Sequence, residues 1–548
     1  MTQKSDSTEE GGQQVARKAS HDARKTPSWA LPPKPLRFLI IILLVLNIFF
    51  RFANLDRKVY WFDEVFTSKW ISGYTEKEVV QQVYDGRIIG VEDLQKYQRL
   101  SPEKGLSDTI NALAAWPENP PLYYLMARFW MQLFHDSVTT PRGLSAVSSL
   151  LVFPGVYWLC LELFGTPLMG WMAIALISVS PIYVLFAQEA RAYSLWTVTI
   201  LLSSWALLRA MRLNTKLNWG IYAVTLAISF YVHLYSALVA IGHAVYLVAT
   251  EGFRWSKTVK SYLLASLAGL LAFGFWPLVI ILHQPSIEHS VNLDQNLRLH
   301  MLNRWANYLT RVFIDFGRDV PHSLTEALPM IPLILIVLGL EGYAIYFLYR
   351  QTPKKVWLFI LAVLGVTAAS MLIGLILGEL RISAEARYLF PCYLAIQLAV
   401  AYLLLTKITS FSVNNWEQKL WQLVTILVVS AGVVSCALSS QAEYWWNKGY
   451  LINKYNREIA GIVNKATQPL LVSDTDQNYL LSLSYLLDSK VRLQLVETPN
   501  IPMIPEMFSD VFLYNPSQTL RSRLEKEQNY KIVAAQKNDN IWLWRLAR

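Results

Sequence analysis

Long apolar runs separated by short basic segments fill the chain up to residue 438, after which short alternating elements take over. Eleven runs approach the roughly 20 apolar residues that a helix needs to cross a bilayer. They are 36–52, 143–163, 167–185, 194–211, 219–233, 236–250, 260–283, 326–349, 356–377, 388–406 and 420–438. The pattern predicts a polytopic α-helical membrane protein with about eleven transmembrane helices. Residues 1–35 are polar and contain Gly11-Gly12, Pro27, Pro32, Pro33 and Pro35, as a disordered cytoplasmic tail does. That tail is too long and polar for the n-region of a cleaved signal, and no small-residue cleavage site follows the run at 38–50. The run therefore reads as a retained first span.

Basic residues set the orientation. The clusters Arg17/Lys18/Arg24/Lys25, Arg209/Arg212/Lys216, Arg254/Lys257/Lys260, Arg350/Lys354/Lys355 and Lys407/Lys419 can all be cytoplasmic if every run spans. The N-terminus is then inside and the C-terminus outside. The stretch from Pro120 to Phe134 would break this parity as a span. It is short, aromatic and contains Arg128, so it reads as an interfacial helix within a long outer loop, 53–142. A second outer loop covers 284–325 and a short third one 378–387. The membrane part thus runs from 36 to 438.

Residues 439–548 read as a small α/β extracytoplasmic domain. Helices are expected at 451–465, 478–488 and 517–528, and strands at 469–473, 491–497, 510–514, 530–535 and 541–546. None of the strands is followed by a glycine-rich phosphate loop.

Composition agrees with the pattern. Of 548 residues, 54% are hydrophobic and only 16% charged, against roughly 25% charged in soluble domains. The net charge of +10 lies largely in the short loops, where it acts on topology, so no nucleic-acid partner is expected. Cys160, Cys392 and Cys436 sit in apolar runs without metal-ligand spacing.

Four outer segments hold the candidate chemistry. Asp63-Glu64 lies among Tyr60, Trp61, Phe62 and Phe66, aromatic residues that favour a membrane interface. A carboxylate held there is a candidate base. Trp116 to Tyr124 contains Glu118, Asn119 and the helix-starting pair Pro120-Pro121. Gln188-Glu189-Ala190-Arg191-Ala192-Tyr193 sits between two spans, where Glu189 and Arg191 could simply pair with each other. Arg381, Glu385 and Arg387-Tyr388-Leu389-Phe390-Pro391 mark the mouth of another span; guanidinium groups there suit either lipid headgroups or a phosphate clamp. His233 and Tyr235 lie at an outer hairpin, and His243 and Glu341 fall inside spans, where packing is as good an explanation as function.

Taken in order, these segments resemble the C-type (GT-C) glycosyltransferases that use polyprenyl-phosphate sugars, notably bacterial relatives of protein O-mannosyltransferases and of the lipid A aminoarabinose transferase. The matching pieces are Asp63-Glu64, Pro120 to Tyr124, Gln188 to Tyr193 and Arg387 to Pro391. Many relatives have histidine before the proline pair, where this chain has Asn119. The resemblance implies inverting transfer of a sugar to a lipid, glycan or protein acceptor on the outer face of the cytoplasmic membrane. A phosphate leaving group needs positive charge rather than a general acid, and Arg387, Arg381 and Arg191 can supply it. Asp63 is the expected general base, with Glu64 orienting the acceptor or sharing a metal. Glu189, Tyr193, Asn119, Tyr123, Tyr388 and His233 are expected around the substrates, and Trp305, Arg298, Arg304 and Arg311 around the same pocket. Two carboxylates suit Mg2+ or Mn2+, although adjacent residues alone do not complete a site. A transporter or lipid flippase would instead concentrate polar groups near the midplane. A non-catalytic envelope scaffold would leave the Asp63-Glu64 corner without a purpose.

Overall fold

The computed structural model describes residues 34–252, 254–283, 295–321, 324–377, 385–409, 415–448, 451–536 and 541–547. The expected tail, Arg381 and part of the second outer loop lie outside the described residues.

Every apolar run forms a helix or a broken helix pair. Among the described residues, six helices are long and apolar enough to cross a membrane, or eight if each of two bent pairs is one span. The sequence-based set of eleven also includes Lys34–Phe52, Lys216–Val232 and Ser236–Glu251, of 19, 17 and 16 residues. The Leu122–Phe134 helix has only 13 residues. At about 1.5 Å per residue it is too short to span a bilayer. Its Arg128 is buried, donating to the carbonyl of Ile71 at 2.6 Å and to Thr109 at 2.9 Å.

One break in the membrane body matters for the site. The helices Pro167–Ser178 and Pro181–Ala187 meet at 65°. Pro181 lacks the N–H that would continue the ladder, so the chain turns there. The Asn415–Gln441 helix packs against the bend through Gly432, where a Cβ would meet the Val179 carbonyl oxygen at 2.3 Å. After the second half-helix comes a tight turn, 188–192, and then the buried Tyr193–Leu213 helix. Gln188 fixes that turn by donating to the carbonyls of Phe50 and Ala53, while accepting from Lys58 at 2.7 Å.

The C-terminal elements lie close to their expected positions and form a sheet with one addition. Its strands are β1 (Asp85–Gly90), β2 (Pro469–Ser473), β3 (Arg492–Val496), β4 (Asp510–Tyr514), β5 (Lys531–Ala534) and β6 (Leu543–Ala547), in the order β1-β3-β2-β4-β6-β5. The central pairs β2/β3 and β2/β4 are parallel; the outer ones are antiparallel. The addition is β1, which comes from the long loop 53–142 and pairs Ile89 with Leu493. Alternation along β2 divides the two faces. Leu471 joins Leu493 and Phe512 against the helices Leu451–Lys465 and Gln477–Ser484. Leu470 and Val472 pack with Leu520 and Leu524 of the Gln518–Glu527 helix on the other side. The first face shares its core with Tyr60 and Val65, which flank Asp63-Glu64.

Candidate active site

Asp63 and Glu64 lie in the first turn of the Phe62–Ile71 helix, where negative charge meets the positive end of the helix dipole. Trp61 enters it in an extended conformation. Successive side chains on a helix diverge by about 100°. The two carboxylates therefore point to different neighbours, although they are adjacent in sequence.

Glu64 points inward and is fully buried. Arg142 donates to both its oxygens, at 2.7 and 2.6 Å, in the planar fork that guanidinium and carboxylate groups form best. Lys448 donates at 3.0 Å and the Ala190 backbone N–H at 3.0 Å. Burial alone would raise the carboxyl's pKa; Arg142 and Lys448 outweigh it and hold Glu64 down at about 2. With its oxygens taken up by protein donors, Glu64 does not face an acceptor. Nor does the expected sharing of one Mg2+ or Mn2+ with Asp63 fit this geometry. Among the described residues no group of three or more His, Cys, Asp or Glu converges as a metal site.

Asp63 turns the other way and forms an ion pair with Arg387. Arg387 sits in the short turn Ala386–Leu389 at the mouth of the Phe390–Thr409 helix, with Glu385 3.9 Å away. It forms part of the wall of a cavity of about 670 Å3, with Arg304, Arg318, Trp61, Tyr308 and Trp446 among the other lining residues. Tyr308 stacks on Trp446 at 5.5 Å between ring centroids. Behind Trp446, the Arg311 guanidinium lies 3.9 Å from its ring. Arg304 thus faces the cavity while Arg311 backs its wall.

Arg191 lies behind Asp63 and does not pair with Glu189. It donates to the Asp63 carbonyl at 3.4 Å and to Asn119 Oδ1 at 3.2 Å. Asn119 also accepts from the Tyr124 hydroxyl at 3.0 Å. Tyr123, expected near substrate, is buried and bonded to Ser145 at 2.7 Å, which makes it a packing residue. Tyr193 stacks against Phe390, His233 against Trp196 at 4.1 Å, and Tyr388 against Tyr235 at 4.4 Å. Of these rings, Tyr388 lies under the Arg387 guanidinium, 5.6 Å from it to the ring centroid. His243 hydrogen-bonds within the bundle, to Ser204 and Tyr222.

Glu189 is also fully buried. Asn447 donates to its Oε1 at 2.6 Å and Lys448 at 3.4 Å, while Oε2 has no partner among the described residues. Burial raises its pKa most, Lys448 opposes this, and nearby Glu64 adds to the rise, leaving the carboxyl at about 7. Arg142, Asn447 and Lys448 were not identifiable as site residues from the sequence. Arg142 lies just before an apolar run, where it reads as an interface charge, and Lys448 follows the last one. An unusual density of polar and aromatic residues at Tyr444 to Lys448 was the available signal.

Residues 118–277 match the family model described as dolichyl-phosphate-mannose-protein mannosyltransferase. No curated protein sequence matches the chain. Among solved structures, ArnT from Cupriavidus metallidurans bound to undecaprenyl phosphate is 12% identical, covering 92% of this chain and 97% of its own, with a TM-score of 0.48. The apo form of that protein gives 11%, 93%, 97% and 0.47. The Saccharomyces cerevisiae protein O-mannosyltransferase Pmt1-Pmt2 complex bound to the sugar donor gives 16% identity over 54% of this chain and 38% of that one, with a TM-score of 0.26. The family match spans the Pro120 to Tyr124 and Gln188 to Tyr193 segments on a multi-pass helical body, and over those residues the chain is similar to the dolichyl-phosphate-mannose-protein mannosyltransferases.

Proposed function

We propose that this chain is a membrane glycosyltransferase that draws a sugar from a polyprenyl-phosphate donor and transfers it, with inversion, to an acceptor on the outer face of the membrane, and that Asp63 is the general base. The Asp63–Arg387 pair carries this reading: Arg387 lines the cavity, and the pair sets the candidate base beside a cation suited to the leaving phosphate. The acceptor O–H or N–H attacks the anomeric carbon as the carbon–oxygen bond to phosphate breaks. The acceptor proton passes to Asp63, and polyprenyl phosphate leaves with the bonding electrons.

Arg387 then has two partners in succession. It neutralises Asp63 and, as the donor lipid arrives, turns to its phosphate, which frees the carboxylate for the acceptor. Guanidinium suits this exchange because its several N–H groups can engage two oxyanions. Arg191 supports the same turn of chain from behind, through the Asp63 carbonyl and Asn119. Glu64 is assigned a positioning role, since its charge is fixed internally by Arg142 and Lys448. The orientation that places this cavity outside follows the distribution of basic loops.

The test is consumption of labelled polyprenyl-phosphate sugars by membranes that contain the wild-type protein or Asp63→Asn. Loss of one donor with the wild type alone supports the reading and identifies the sugar. Equal consumption by the variant removes Asp63 from the base role.

A further inference from the structure

The short connector between the last membrane helix and the sheet reaches into the catalytic corner. Four consecutive side chains make buried polar contacts there. Trp445 and Trp446 donate their ring N–H groups to Asp315 at 2.8 and 2.7 Å. Asn447 donates to Glu189, and Lys448 bridges Glu64 and Glu189 at 3.0 and 3.4 Å. Lys448 is fully buried.

The sheet side also grips the helix that carries Asp63. Asn478, on the Gln477–Ser484 helix, accepts from the buried Lys69 at 2.8 Å. Ser482 donates to the Tyr60 carbonyl at 2.5 Å, and Tyr479 packs on Phe62 with ring centroids 5.0 Å apart. Strand β1 ties the rest of the first loop to β3. Arg142 and the Trp70–Tyr124 ring contact hold the same helix from the membrane side.

From this arrangement we infer that the C-terminal sheet unit is part of the catalytic machinery, and that Lys448 is a positioning residue that fixes Asp63 through Glu64. The inference rests on the reading of Asp63 as base. A base must lie within hydrogen-bond reach of the acceptor proton. A displacement of about 1 Å in a reacting group can lower a rate on the order of 10²-fold. The Phe62–Ile71 helix is clamped between two bodies, and Lys448 supplies one of the two cations on the residue next to Asp63. Without it, Glu64 retains Arg142 as its one ion-pair partner among the described residues, beside the Ala190 N–H, and Glu189 loses its only one.

The experiment uses the full chain purified in lipid nanodiscs, with Lys448→Met, Lys448→Arg, Asn478→Ala and Asp63→Asn compared with wild type. Rates are expressed per folded protein, and donor affinity is measured with the labelled polyprenyl-phosphate sugar. Lys448→Met should lower kcat on the order of 10²-fold while donor KM stays near wild type. Lys448→Arg should recover most of that rate. Asn478→Ala should show the same split to a lesser degree. Wild-type kcat in folded Lys448→Met overturns the inference, as does a loss that merely follows the folded fraction. If Lys448→Met does not fold, Asn478→Ala decides: lowered kcat at constant KM supports the inference and normal kcat overturns it. A dead Asp63→Asn beside a normal Lys448→Met defeats the positioning claim alone; a fully active Asp63→Asn defeats the reading beneath it.

Discussion

Arg387 and Asp63 form an ion pair across 324 residues of sequence, joining the mouth of a buried membrane helix to the Phe62–Ile71 helix. Both side chains are largely shielded from solvent. Removing one partner of such a pair leaves the other charge poorly compensated, typically a loss of about 2–5 kcal/mol when donor and acceptor are both desolvated. Arg387 is also the cation proposed to meet the donor phosphate, so Arg387→Met should weaken binding of polyprenyl-phosphate sugar by at least about tenfold, equivalent to ~1.4 kcal/mol. Arg387→Lys keeps the charge without the planar fork and should fall between. Direct binding of labelled donor checks this; unchanged affinity in Arg387→Met would take the phosphate role away from Arg387.

Glu64 gives a stability prediction with a definite sign. Its folded pKa, about 2, lies below the ordinary value of 4.5. Such a group contributes stability that is present above about 4.5 and is lost as pH falls towards about 2. Glu64→Gln leaves Arg142 and Lys448 without their shared counter-charge and should destabilise the protein by about 3–5 kcal/mol at neutral pH. Thermal unfolding in detergent measures the difference, which should shrink on acidification.

Glu189 has the opposite sign. Its carboxyl is raised from 4.5 to about 7, so its contribution is full below about 4.5 and declines as pH rises through about 7. Glutamine imitates the protonated form and does not titrate. The melting temperature of Glu189→Gln relative to wild type should therefore rise between pH 4.5 and 7. A difference that stays constant over that interval would show that the carboxyl is ionised throughout.

Asn119 offers a sharper test of the support behind Asp63. Its side-chain oxygen accepts from both Arg191 and Tyr124. Asn119→Ala leaves two donors without that acceptor, a loss of about 1–3 kcal/mol for a buried group. Transfer should slow while the protein remains folded. Asn119→Asp keeps the acceptor and should retain more activity than alanine, as measured by initial rates at saturating donor.

The sequence was most informative where a single element decided the outcome. Apolar runs became helices, and the spacing of short β-rich segments located five strands of the sheet. It was least informative where two distant segments had to meet. Nothing in Asp85 to Gly90 announces an edge strand, because its partner β3 lies some four hundred residues away and only the three-dimensional fold brings them together. The same holds for the polar network. Asp63 and Glu64 look like a pair in one dimension, yet helix geometry separates them into one carboxylate on the cavity-lining Arg387 and one held in the interior by Arg142. Arg142 and Lys448 look like ordinary interface charges until Glu64 is seen between them.

The central claim is that Asp63 takes the acceptor proton during sugar transfer. Single-turnover transfer from preloaded labelled donor, with wild type and Asp63→Asn compared at equal donor occupancy, tests it most directly. General-base assistance is typically worth about 10²–10⁴-fold. The account predicts a rate loss in that range with the donor still bound. Turnover by Asp63→Asn at the wild-type rate would contradict it.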